Sequence, residues 1–103
     1  MGLTNIKVLD HINQCYSNSD GQVVFDLINK EFNNGNKVAV YFDGVSALNS
    51  SFVNSAFIEL LEIHDFKFIK SHLQFKNSTQ QINSLIKDRF AFEVKKSKEL
   101  VSN

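Results

Sequence analysis

Two adjacent serines, Ser50 and Ser51, open an apolar stretch that follows a strand-like run and a turn. Their hydroxyls are the groups in this chain best suited to chemistry. A hydroxyl at a helix start can accept a bond from a backbone N–H two or three residues on, worth about 1 kcal/mol. The same group, lying at a solvent-accessible helix end, could instead receive a phosphate that the helix dipole and free N–H groups stabilise. It could also sit in a partner's surface, where a phosphate's added charge would block a neutral interface. Capping and contact are compatible. Asn49 is the neighbouring residue and could cap in place of Ser50. Asp43 ends the preceding strand and stands before Gly44. It either caps that turn or shapes the loop carrying Ser50, where it could touch a kinase or an ATP-bound metal in a partner.

Other chemistry finds little support. His11, His64 and His72 are widely spaced, without acidic or cysteine neighbours at ligand spacing, so no metal site is expected. His64-Asp65 reads as a helix-end pair, where a cation suits the dipole. Cys15 is the only cysteine, which excludes an intrachain disulfide. It reads as a small packed thiol, since His11 nearby has no third group or oxyanion motif beside it. Asp26, Glu31, Glu59 and Glu62 read as solvated helix faces rather than paired catalytic acids. Gly21, Gly35 and Gly44 are too far apart for a phosphate-cradling loop. No enzyme and no cofactor are expected.

Composition sets the class. One domain with a modest core is expected from 103 residues, 43% of them hydrophobic. Ten Phe and no Trp imply a core filled largely by Phe rings. Eleven basic and eleven acidic residues leave no electrostatic footprint for nucleic acid. No apolar run approaches the ~20 residues of a membrane span, and the N-terminus lacks the basic and apolar regions of a signal peptide. A cytoplasmic protein is the expectation.

The elements that must position the serines follow from periodicity. Partial alternation over 3–9 (Ile6, Val8) predicts an edge strand. Ser17, Asn18, Ser19 and Asp20 are turn residues, any of which can cap a helix. Val24, Ile28 and Phe32 recur every four positions and predict an amphipathic helix over 21–32, stopped near Gly35. Residues 37–42 predict a central strand, apolar on both faces. A second helix is predicted over 51–63. Residues 65–71 must pack, but their period is ambiguous. A strand is predicted over 72–76, and a third helix from Asn77-Ser78, with Ser78 and Gln81 at capping-box spacing. The order β-α-β-α-β-α points to a mostly parallel sheet. The Lys-rich segment 93–103 is either a helical extension or a mobile tail.

The run 38–57 resembles the central segment of STAS domains, the fold of bacterial anti-sigma-factor antagonists. In those proteins a strand ends near an acid, and a loop leads to an Asp-Ser-Ser or similar helix start. A partner kinase of the histidine-kinase-like ATPase class phosphorylates a serine there. Asp43 matches the strand-end acid, Ser50 the phosphoserine position and Ser51 the serine after it. Asn49 stands where Asp is usual, removing a charge that could assist phosphotransfer or bind metal. Phe52 replaces the usual Gly, placing a large apolar group at the helix start.

The chain is more closely similar to the STAS-like family of unknown function, a divergent relative. The matching pieces are Ser19 to Gly21, Tyr41-Phe42-Asp43-Gly44-Val45, Ser51-Phe52 and His72-Leu73-Gln74-Phe75-Lys76-Asn77. The resemblance implies an α/β fold, a small STAS-like mixed sheet with helices packed mainly on one face, over residues 1–92. It implies non-catalytic protein binding in bacterial regulation, with a histidine-kinase-like ATPase or switch protein as partner. The contact surface would comprise loop 45–49, residues 50–54 including Asn54, and exposed positions such as Ser55, Glu59 and Glu62. The alternative is a phage or mobile-element accessory protein that uses this surface to inhibit or derepress a host protein. A third reading is an enzyme using Cys15. An exposed edge strand near the N-terminus could also support a homodimer.

Overall fold

The computed structural model describes residues 2–101, with side chains through residue 97. Three strands, β1 (Leu3–Lys7), β2 (Lys37–Tyr41) and β3 (Leu73–Lys76), alternate with four helices, α1 (Asn18–Asn33), α2 (Ser50–Ala56), α3 (Phe66–His72) and α4 (Gln80–Val101). Short 3-10 turns occupy Val8–Asp10 and Ile58–Glu62.

The sheet order is β1-β2-β3, and both pairings are parallel. Among the described residues the sheet is therefore parallel throughout rather than mixed. Each strand returns through a helical connection, which is the link parallel pairing requires. Successive right-handed crossovers moving in one direction place their helices on the same side. Burial shows that side: Ile6, Val38, Val40 and Leu73 are buried, and Phe42 continues the row. The other face carries Leu3, Asn5, Lys7, Lys37, Gln74 and Lys76, all exposed. Ala39 is buried there, a single methyl in register between Asn5 and Gln74. The helices thus lie on one face, as expected, and the outer face of β2, with exposed Lys37 and half-buried Tyr41 beside Ala39, is less apolar than expected.

Ser17 starts α1, its Oγ accepting from the Asp20 backbone N–H at 3.1 Å. Val24, Ile28 and Phe32 are buried along its inner stripe. The helix ends before Gly35, whose φ of +80° lies in the left-handed region that glycine adopts without strain. The Glu31 carboxylate then accepts from Thr4 Oγ1 and Asn36 Nδ2, both at 2.8 Å, joining the end of α1 to the start of β1.

The predicted 51–63 helix is two elements. α2 stops at Ala56, and the 3-10 turn follows. Residues three apart eclipse in a 3-10 turn. This winding buries Phe57 and Leu60 while Glu59 stays half-buried and Glu62 exposed. Phe57 packs at 5.1 Å from Phe75, 6.0 Å from Phe52 and 6.2 Å from Phe42, in mostly edge-to-face geometry.

The ambiguous segment is α3. Asp65 caps it, accepting from the Phe68 N–H at 2.7 Å, so the His64-Asp65 pair closes the 3-10 turn, with the His64 N–H on the Leu60 carbonyl at 2.8 Å, and opens α3. His64 instead stacks on Phe68, and Phe68 on His72, with Phe32 edge-on to all three. α3 passes directly into β3 at Leu73. Thr79 rather than Ser78 caps α4, accepting from the Ile82 N–H at 3.1 Å. The Ser78 hydroxyl donates to Asn83 Oδ1 at 2.6 Å. α4 continues without a break through Val101, and residues 102 and 103 of the expected C-terminal extension lie outside the described residues.

Candidate functional site

All three strands point the same way, so their carboxyl ends deliver three loops to one edge of the sheet. In open α/β sheets ligands are commonly received outside the carboxyl ends of the strands, at a point where the strand order reverses, and the order β1-β2-β3 has no such point. Asp43, Asn49, Ser50 and Ser51 all lie in or beside the loop that follows β2.

Asn49 holds this edge together. Its Oδ1 accepts from the Phe52 backbone N–H at 3.0 Å, capping α2. Its Nδ2 donates to the Tyr16 carbonyl at 2.9 Å, and its backbone N–H to the Cys15 carbonyl at 3.3 Å. One side chain thereby starts the helix and ties it to the loop after β1. An aspartate at this position could cap equally, but it could not donate to Tyr16. The Asn in place of the usual Asp has a structural task here.

Because Asn49 caps, Ser50 and Ser51 do not. Both are exposed, and neither hydroxyl has a hydrogen-bond partner among the described residues. Phe52, the next residue, is 0% exposed and seats the helix start in the core. Val45 is buried and Leu48 packs against the core. The face presented to solvent is therefore Ser46, Ala47, Asn49, Ser50 and Ser51. Beside it, Ala47 and Leu48 meet Gln81, Ile82 and Leu85 of α4 around a shallow cavity of about 290 Å³.

Asp43 braces the next loop. Its Oδ1 accepts from Asn77 Nδ2 at 2.8 Å, and Asn77 sits at φ +53°, in the left-handed region. That bond joins the loop after β2 to the loop after β3. Asn is among the few residues that tolerate this conformation, and Asn77 was the signal available in the sequence.

The remaining expected residues are elsewhere. Asn54 is half-buried against α4, its Oδ1 accepting from Arg89 Nε at 2.9 Å. Arg89 also pairs with Glu93 at 3.1 Å and lies 5.3 Å over the Phe92 ring. Ser55 is 4% exposed and donates to Asn18 Oδ1 at 3.0 Å, so it is not part of an exposed surface. Cys15 is 1% exposed, and burial, followed by the nearby Asp20 charge, pushes its thiol up to about 11. A thiol raised in this way stays largely protonated at neutral pH, whereas a thiol nucleophile acts as the thiolate. Among the described residues no group of three His, Cys, Asp or Glu could hold a metal ion. No described helix is long and apolar enough to cross a membrane.

The periodicity-based reading also missed Gly21. A Cβ built there would lie 2.6 Å from Ser55 Cβ and 2.8 Å from the Phe52 carbonyl oxygen. Only glycine lets α1 and α2 approach this closely, and that approach sets where Ser50 and Ser51 emerge.

No curated protein and no solved structure matches the chain. The model of the STAS-like domain of unknown function matches residues 20–83, from the first turn of α1 into the start of α4. That span holds β2, β3 and every residue of the serine-bearing edge except the Cys15 and Tyr16 carbonyls. The chain belongs to the family of STAS-like domains of unknown function.

Proposed function

We propose that this chain is a non-catalytic protein-binding domain of bacterial regulation, and that it presents Ser46, Ala47, Asn49, Ser50 and Ser51 to its partner. The observation that carries the reading is the pair of exposed hydroxyls left without work by Asn49. Neither is hydrogen-bonded to a histidine or carboxylate among the described residues, so no base activates them as nucleophiles. They suit a contact or a phosphoacceptor instead. Resemblance to anti-sigma-factor antagonists names a histidine-kinase-like ATPase or a switch protein as the partner class.

A phosphate on Ser50 or Ser51 adds about two negative charges to a neutral surface. Phe52 and Val53 are fixed in the core, so the charge could not be absorbed by moving the helix start. It would be expressed at the interface, and the partner would leave. The test is an affinity pull-down from the native host with wild type, Ser50→Asp, Ser51→Asp and the two Ala variants. Capture of an ATPase-domain protein by wild type and the Ala variants, with loss by one Asp variant, supports the switch. A partner of another kind held equally by all five removes the switch and leaves constitutive binding.

A further inference from the structure

A large cavity lies away from the serines, between α3, β3 and α4. It encloses about 730 Å³ and is walled by Phe66, Ile69, Leu73, Phe75, Ile86 and Phe90. This volume falls within the range of small-molecule sites, about 300–1,000 Å³. It exists because β3 is an edge strand. Phe75 points from its inner face toward the helices, and no further strand carries the layer onward. α4 crosses this end, and the space between is left open.

The charged side chains that line the cavity are all of one sign. Lys70 of α3 and Lys87 and Lys95 of α4 contribute to its lining, together with Asn83, and no carboxylate does. All three lysines are exposed while lining the cavity, an arrangement in which a lysine stem can extend an apolar wall and its ammonium reach solvent at the rim. In a chain with eleven basic and eleven acidic residues this is a local departure from balance. Glu59, Glu62 and Glu93 line a different pocket together with Arg89, and Asp88 of α4, though exposed, does not line this one. The walls offer nothing to a sugar or a base, whose many polar atoms would be buried unpaired. They accept an apolar body, and the mouth accepts an anion.

We propose that this cavity binds a single-chain amphiphile with an anionic head, an acyl chain ending in a carboxylate or phosphate. The chain lies against Ile69, Phe75, Ile86 and Phe90, and the head group pairs with Lys70 and Lys87, which face it from opposite walls. This site goes beyond the serine surface and does not depend on it.

The test uses the full chain, titrated with dodecanoate below its micelle concentration and followed by amide NMR shifts. Saturable binding is expected, with shifts confined to residues 66–75 and 83–95. Dodecanol, which lacks the charge, and the Lys70→Glu/Lys87→Glu variant should each bind at least about tenfold more weakly. Dodecyl phosphate in place of dodecanoate shows which head is preferred. Ala91 is exposed and lines the cavity, so Ala91→Trp fills the space without burying anything in the core. It should abolish binding at unchanged melting temperature, while Ser50→Asp should bind as wild type. The inference is overturned by the absence of saturable binding, by equal affinity for dodecanol, or by unaltered binding to Ala91→Trp. A free-chain dimer that Ala91→Trp dissociates would also overturn it, by placing a second copy in the groove.

Discussion

At the scale of the residue, Asn49 decides what the two serines are free to do. Four hydrogen bonds converge on it, two through the carboxamide, one through its own N–H and one accepted by its carbonyl from the Val53 N–H. Asn49→Ala removes the helix cap and the tie to Tyr16 together. A cap is worth about 1 kcal/mol and a further net hydrogen bond 0.5–1.5 kcal/mol, so a loss of about 1–2 kcal/mol is expected in urea unfolding. Ser50→Ala and Ser51→Ala should leave stability unchanged within about 0.5 kcal/mol, as expected of exposed side chains without partners. Equal losses for Asn49→Ala and Ser50→Ala would return the capping role to the serine. Cys15 illustrates the opposite case, a residue type with reactive potential that burial holds protonated.

At the scale of the element, the seam between α1 and α2 matters most. Asn18 accepts from Ser55, and Gly21 lies against Ser55 and the Phe52 carbonyl. In an unconstrained helix interior, Gly→Ala gains about 1 kcal/mol. Here the added methyl would lie under 3 Å from two neighbours, one of them backbone, and helix separation would have to grow. Overpacking of this kind costs about 1–3 kcal/mol, so Gly21→Ala should be destabilising on balance. Because the shift moves α2, amide NMR shifts at Ser50 and Ser51 should change as well. A stabilised Gly21→Ala protein with unchanged shifts at those residues would show that the seam has slack.

At the scale of the whole molecule, the stack of His64, Phe68 and His72 against Phe32 links α1, α3 and the 3-10 turn that precedes α3. Desolvation holds the His64 pKa below its ordinary 6.5, Asp65 opposes that shift, and His72 adds to it. Asn29 Oδ1 lies 3.0 Å from Nε2 on the α1 side. A lowered folded-state pKa means that the unfolded chain takes up the proton first as pH falls. The contribution of His64 to stability is therefore complete above its ordinary value and is lost as pH drops through the lowered one. Urea midpoints should fall as the solution is taken from about pH 7 to pH 5, and His64→Asn should flatten that dependence. A midpoint that rises over this interval would contradict the sign.

The sequence alone determined the order of the three strands and of α1, α2 and α4 but not α3, together with the inner stripe of α1, the two apolar strands and the approximate start of α2. These are set by local periodicity and by turn residues that act within a few positions. It also marked the loop after β2 as the place where hydroxyls could be exposed. The tertiary structure decided which neighbouring polar residue performs which task. Asn49 caps because the Tyr16 carbonyl is there to receive its amide, and Thr79 caps α4 while Asn77 reaches Asp43. It decided that the 51–63 stretch breaks at Phe57, whose ring packs among Phe42, Phe52 and Phe75 from distant parts of the chain. It decided that Ser55 and Cys15 are buried and Ser50 and Ser51 are not. Except for the Thr79 cap on Ile82 and the Phe52–Phe57 contact, which are local, the deciding partner is remote in sequence, and no local pattern carries its position.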